Sequence, residues 1–171
     1  MNATSLLESQ HRKVEALFKK LESGRSDPTV VLEELANSLA AHMAIEQEIF
    51  YPAIREVDSD LVNESYEEHS LAEMALKRLL ATDPENEAFS ARVTALKELI
   101  QHHVEEEEQE LFPEVHKALY EDQLTALAKR MKVRFQEVFD GGFEAAVPRG
   151  MAKTSADVSK KKFGRKTSRA A

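Results

Sequence analysis

The sequence predicts an all-α protein: an up-down-up-down four-helix bundle with an additional C-terminal helix and a disordered basic tail. Three observations carry this. Leu, Ala, Glu and Lys dominate the first 140 residues, and the whole chain of 171 residues holds only five glycines and five prolines, so intrinsic preference is helical over long stretches. Apolar residues recur at spacings of three and four, the period of a helix with one face against a core. Two Asp-Pro pairs, Asp27-Pro28 and Asp83-Pro84, supply helix starts, with aspartate as the cap and proline in the first turn.

The first helix is expected from about Thr4 to Glu22, ending at "SGRSDP". Asp27 caps a second helix that reaches about Val57. Asp58 or Ser59 caps the third, which continues to about Leu80, and Asp83 caps the fourth. Short connections between long amphipathic helices force antiparallel neighbours, hence the up-down order. A fifth helix, about Glu121 to Phe139, carries Leu124, Leu127, Met131, Phe135 and Val138 at helical spacing and is expected on the outside of the bundle. The domain reading is a helical bundle over 1–140, with its core in 1–120 and the extra helix over 121–139, followed by a tail over 141–171.

Composition narrows the chemistry. The chain has no cysteine, so a disulfide framework and a thiolate metal site are both excluded, and any metal takes nitrogen and oxygen ligands. No apolar run reaches the roughly 20 residues of a membrane span, and the N-terminus lacks the apolar core of a signal peptide. The expectation is a cytoplasmic protein without membrane contact. The net charge of −8 is uneven: from Arg149 onward eight Lys or Arg face Asp157 alone, a balance of +7, which leaves −15 on the first 148 residues. This reads as an acidic globule with a basic arm.

The apolar stripes contain the informative residues. They read Leu7, His11, Val14, Phe18, Leu21 in the first helix and Leu32, Leu35, Leu39, His42, Glu46, Ile49 in the second. They continue as Val62, Tyr66, His69, Leu76, Leu80 in the third and Leu96, Ile100, His103, Glu107, Leu111 in the fourth. Every helix aims a histidine at the bundle axis, and two add a glutamate one turn on, on the same face. A weak internal repeat sets the register. "HMAIEQEIFYP" (42–52) aligns without a gap on "HVEEEEQELFP" (103–113), pairing His42 with His103, Glu46 with Glu107 and Pro52 with Pro113. The rival pair His102 and Glu106 sits about 100° off the stripe and has no counterpart in the second helix, so it is assigned to solvent with Glu105, Glu108 and Glu110. His116 is likewise placed on the surface.

Burying ionised carboxylates without partners costs several kcal/mol each, and no Lys or Arg lies on these stripes. A cation is the simplest compensation. Imidazole with carboxylate suits iron or manganese, with zinc open as well. Six protein ligands exceed what one tetrahedral zinc needs, whereas two metals sharing bridging carboxylates would use all six. A ferritin-like arrangement is set aside because its paired Glu-x-x-His motifs are represented only by Glu8 and His11.

His11, His42 with Glu46, His69, His103 with Glu107, and the "FYP" and "LFP" endings together resemble the hemerythrin-like family of HHE cation-binding domains, over about residues 1–120. The resemblance implies a non-haem di-iron centre, with Glu46 and Glu107 bridging and His11, His42, His69 and His103 as terminal ligands. Manganese and zinc are the weaker alternatives. It also implies a small-molecule ligand, oxygen, nitric oxide or peroxide, and a place in oxidative or nitrosative stress. Peroxide decomposition is the enzymatic form of that reading; binding or sensing of oxygen or iron without turnover is the alternative. One departure matters: oxygen-carrying members resemble this pattern with a second histidine one turn after that of the third helix, where this chain has Glu73. Glu73 is read as an extra ligand, a partner to a ligating histidine, or an exposed glutamate. Fewer histidines shift the expectation from oxygen transport to redox reactions. Tyr51 and Tyr66 are candidate hydrogen-bond donors to a bound ligand, and Pro52 and Pro113 are expected to bend or end their helices. The basic tail reads as a solubilising arm, with nucleic acid or a protein partner as rival readings.

Overall fold

A computed structural model describes residues 1–143, and these form helices and turns without strands. The expected basic tail lies outside the described residues from position 144 onward. Helix α1 spans Ala3–Ser23; the Asn2 side chain caps it by accepting from the Ser5 N–H, and Gly24 ends it with φ of 63°, a left-handed conformation that favours glycine. Helix α2 spans Pro28–Ile45, with Asp27 accepting from the Thr29 N–H as expected. Helix α4 spans Ser59–Leu80 behind an Asp58 cap, and α5 spans Phe89–Glu106. These four make the up-down-up-down bundle, with neighbours in the order α1, α2, α4, α5 and back to α1.

The second and fourth rods are not regular. Each passes through a wide π turn, Glu46–Phe50 and Glu107–Leu111, before continuing as α3 (Tyr51–Ile54) and α6 (Phe112–Ala118). Pro52 and Pro113 lie just after these turns. A proline lacks the N–H of a regular ladder and its ring crowds the carbonyl four residues back, and widening the preceding turn relieves the clash. The prolines thus neither end nor break their helices. The extra residue rotates the rest of the rod, so Phe50 and Tyr51 are both fully buried while Ile49 is only half so.

Three other expectations are corrected. The fourth helix starts at Phe89 rather than after Asp83, because the Asp83 and Asn86 side chains accept from the N–H groups of Glu85 and Ala88 and close local turns instead, a competition typical of these residues. On α4 the buried residue near the end is Leu79, with Leu80 37% exposed. The last helix, α7 (Glu121–Gly141), is not an outer decoration. It packs along α2 and α1 and buries Leu124 and Met131 completely. Those side chains join Leu7, Phe50, Ile54 and Val115 in one apolar cluster at one end of the bundle, while Leu35, Leu39, Leu76 and Leu96 belong to a second cluster. The buried histidines His11, His42, His69 and His103, with Glu46 and Glu107, lie between the two. Met131→Ala should therefore lower unfolding free energy by about 2–5 kcal/mol through the cavity it leaves, whereas Val133→Ala, at a 62% exposed position, should change it by less than about 0.5 kcal/mol. Equal midpoints in urea for the two variants would contradict the role of α7. No helix among the described residues is long and apolar enough to cross a membrane.

Candidate metal centre

All six residues read from the stripes converge between the two apolar clusters, each at most 5% exposed. The Nε2 atoms of His11 and His42 stand 3.2 Å apart, and those of His69 and His103 3.1 Å apart. Glu46 lies between the pairs: Oε1 is 3.2 Å from His42 Nε2 and Oε2 is 3.3 Å from His69 Nε2. Glu107 Oε2 is 3.4 Å from His11 Nε2 and 3.8 Å from His103 Nε2. Two ligand groupings result, His11, His42, Glu46 and Glu107 on one side and Glu46, His69 and His103 on the other, with Glu46 common to both.

The outer edges of the imidazoles were not anticipated from sequence. Each Nδ1 is held by a residue of the neighbouring rod: His42 by Gln10 Oε1 at 2.8 Å, His103 by Glu68 at 2.8 Å, His11 by Glu108 at 2.8 Å, and His69 by the side-chain amide of Gln47 at 3.1 Å. The contacts run round the bundle in a ring, α1 to α2, the first π turn to α4, α4 to α5, and the second π turn to α1. At His11, His42 and His103 an oxygen accepts the Nδ1 proton, which fixes the ring and leaves the Nε2 lone pair for a cation, the arrangement common around ligating histidines. At His69 the Gln47 amide nitrogen faces Nδ1, and turning that amide over would present its oxygen and give the same arrangement. Glu108 is thus not left to water, and it also pairs with Arg12. A local signal did exist. Gln10, Gln47, Glu68 and Glu108 are each the immediate sequence neighbour of an inward residue, about 100° round the helix and so turned toward the adjacent rod.

Of the other expected residues, His102 is 61% exposed and belongs to solvent, but Glu106 is half-buried beside Glu68. Glu73 pairs with Lys77 along α4 and is not part of the centre. Tyr66 donates to the Gln47 carbonyl. Tyr51 faces the centre: its hydroxyl donates to Glu107 Oε1 at 2.9 Å and lies 3.4 Å from His69 Nε2. His116 sits on the surface and meets the Thr4 hydroxyl.

Burial pushes Glu46 well above the usual carboxylate range, helped by the charge of Glu107. Burial acts on Glu107 in the same sense, yet His103 and His11 outweigh it and hold that carboxyl below the usual range. His42 and His69 are depressed by burial and then by their histidine neighbours, His11 and His103 respectively. For His103, burial is overcome by Glu107 and Glu68, and its value rises. Both Glu46 oxygens and Glu107 Oε2 are fully buried without a hydrogen-bond partner. Buried carboxylate oxygens are rarely left so, and a cation facing several histidine lone pairs satisfies them. The donor set fits a metal.

The profile of the hemerythrin HHE cation binding domain matches residues 2–115. The chain belongs to this family. A solved hemerythrin HHE cation binding domain-containing protein from Mycobacterium kansasii shares the fold, with a TM-score of 0.74 at 24% identity over 82% of this chain and 89% of that one. A relative from Nostoc sp. (strain PCC 7120 / SAG 25.82 / UTEX 2576), named DNA nickase, is 30% identical over 137 residues, which cover 77% of this chain and 38% of the relative. The chain thus spans well under half of that protein's length. As an HHE domain, the bundle is a metal-cation-binding unit.

Proposed function

We propose that this HHE domain holds a pair of iron ions and through them binds or reacts with small oxidants: oxygen, nitric oxide or peroxide. The observation that carries the reading is the set of fully buried Glu46 and Glu107 oxygens without hydrogen-bond partners, surrounded by four histidine Nε2 atoms. Glu46 and Glu107 would span the two positions, with His11 and His42 completing one and His69 and His103 the other. Mixed imidazole and carboxylate ligation favours iron, with manganese or zinc as lesser alternatives. Bound iron supplies reversible one-electron redox chemistry and coordination positions for a small ligand.

The chain's own residues do the rest. Tyr51 orients Glu107 through a hydrogen bond and keeps a proton next to the centre, since burial and then the two carboxylates raise its phenol well above its ordinary value. The ring of Nδ1 partners fixes the imidazoles before a metal arrives. Phe50, Leu111 and Phe112, all nearly fully buried, exclude water from one side.

Metal analysis of purified full-length protein should give close to two irons per chain; stoichiometric zinc without iron, from cells supplied with both, would overturn the reading. Anaerobic reduction followed by separate additions of oxygen, nitric oxide and peroxide separates stable adducts from turnover. Glu108→Ala should weaken metal binding roughly 10–100-fold by freeing His11, while His102→Ala leaves it unchanged. Equal losses would show that the ring does not support the metal.

A second reading is favoured by the +7 balance of residues 149–171 together with the name of the Nostoc relative: the tail contacts DNA. Backbone phosphates attract such segments without sequence preference, and salt weakens the contact steeply. Changing Lys160, Lys161 and Lys162 to glutamate in the full chain should abolish low-salt binding to duplex DNA, and unchanged binding would dismiss the idea.

A further inference from the structure

We propose that small uncharged diatomic molecules reach the metal centre along the seam between α1 and α5, through a thin partition formed by Val14, Ile100 and Val104. The proposal builds on the metal-centre reading above. A groove of about 590 Å³ opens to the surface between these helices, bordered by charged residues that include Arg12, Lys97 and Glu105. Val14, Ile100 and Val104 line this groove, and the same three residues line a small pocket of about 10 Å³ that touches His11, His42, His69 and His103. A void of that size takes about one water-sized molecule.

The pocket's remaining walls are Leu39 and Met43, so its surroundings other than the imidazoles are apolar and offer water no hydrogen bonds. On the carboxylate side of the centre, Phe50, Tyr51 and Leu111 are completely buried, which closes that approach. The seam differs. Val14 is 4% and Ile100 9% exposed, Val104 is half-buried, and aliphatic side chains can move aside briefly without breaking a hydrogen bond. An apolar partition admits a neutral diatomic and rejects ions, which would shed their hydration to cross it. His11 lines groove and pocket alike, and its Glu108 partner, paired with Arg12, stands at the groove wall. The route therefore ends directly against one of the imidazoles.

Two measurements decide it. In full-length, methyl-labelled protein loaded with diamagnetic zinc, dissolved oxygen under pressure should broaden the methyl resonances of Val14, Ile100 and Val104 several-fold more than those of Ile54 and Leu124, which are fully buried in the other cluster. Equal broadening overturns the route. In iron-loaded protein, Val104→Trp should slow nitric oxide association roughly tenfold, because entry then waits on larger openings of the helices, with metal content and final spectrum unchanged. Val104→Ala should speed it. Identical rates for wild type and both variants overturn the proposal. A wild type that takes up no iron refutes the metal-centre reading instead, and the oxygen broadening still decides the route.

Discussion

Replacing Glu46 with glutamine is expected to strip the centre of metal and, in the metal-free protein, to raise stability. The two effects have one cause. Glu46 is fully buried, neither oxygen has a hydrogen-bond partner, and burial with the nearby Glu107 pushes its pKa well up. Without a cation this carboxyl must carry an unpaired buried charge or hold a proton that the unfolded chain releases, and an amide of the same shape avoids both costs; the expected gain is about 1–3 kcal/mol. With a cation present the sign reverses. Glu46 is the residue common to both ligand groupings, so its loss weakens both positions together. A ligand at a thousand times its dissociation constant adds about 4 kcal/mol to the folded state, and the variant forfeits that contribution. Thermal melts of wild type and Glu46→Gln, each with and without added iron, should therefore cross: the variant melts higher without metal and lower with it. A variant that melts lower under both conditions would show that Glu46 has a purely structural role.

The second large effect is on acid stability. His42 and His69 are held well below the ordinary histidine value by burial and neighbouring imidazoles. The unfolded chain binds protons at these residues near pH 6.5, while the folded chain does not until its lower values are reached. Their stabilisation is thus full above about pH 6.5 and is lost as pH falls through that window, at about 1.4 kcal/mol per pH unit for each group. Glu46 acts in the opposite sense. Its folded value is raised, so between the ordinary carboxylate range and that raised value the folded state holds one proton more than the unfolded chain, and stability falls as pH rises. His103, also raised, stabilises fully below about pH 6.5 and affects the profile only above it, where that stabilisation fades as pH rises through the folded value. Glu107, depressed, stabilises fully above the carboxylate range and affects the profile only within and below it, where that stabilisation is lost as pH falls.

In metal-free wild-type protein below about pH 6.5 the two histidines, lowered in the fold, oppose Glu46, raised in it, and two groups against one should make stability decline on acidification, with net proton uptake on unfolding. Removing the opposing group with Glu46→Gln should steepen that slope. Unfolding free energies from urea titrations at half-unit steps provide the check, and a flat or inverted profile would contradict the assigned directions. In loaded protein the decline should be steeper, because metal ligation requires unprotonated imidazole.

These effects rest on residues that were legible in the sequence to different degrees. His103 and Glu107 were separable from His102 and Glu106 because the repeat at 42–52 fixed the register, and a 100° rotation divides a buried position from a wet one. Glu108 was misassigned by the same reasoning. It lies off the apolar stripe, but the neighbouring rod rather than water occupies that direction, and the position of a neighbour is not encoded in one helix's periodicity. The start of α5 was also misplaced. Asp83-Pro84 is a sound helix opening by local preference, yet Asn86 and Asp83 side chains capture nearby N–H groups and keep the chain in turns until Phe89.

What the sequence determined by itself is the helical class, the antiparallel order and the six inward polar residues, because side-chain period and short connections are local properties of the chain. The tertiary structure alone decided the rest. Only packed rods bring Gln10, Gln47, Glu68 and Glu108 onto the outer edges of four imidazoles, lay α7 into the apolar cluster beside the centre, and leave Val14, Ile100 and Val104 between a surface groove and the histidines. These relations depend on distances and rotations between helices, which arise when side chains from separate segments interlock at interior density.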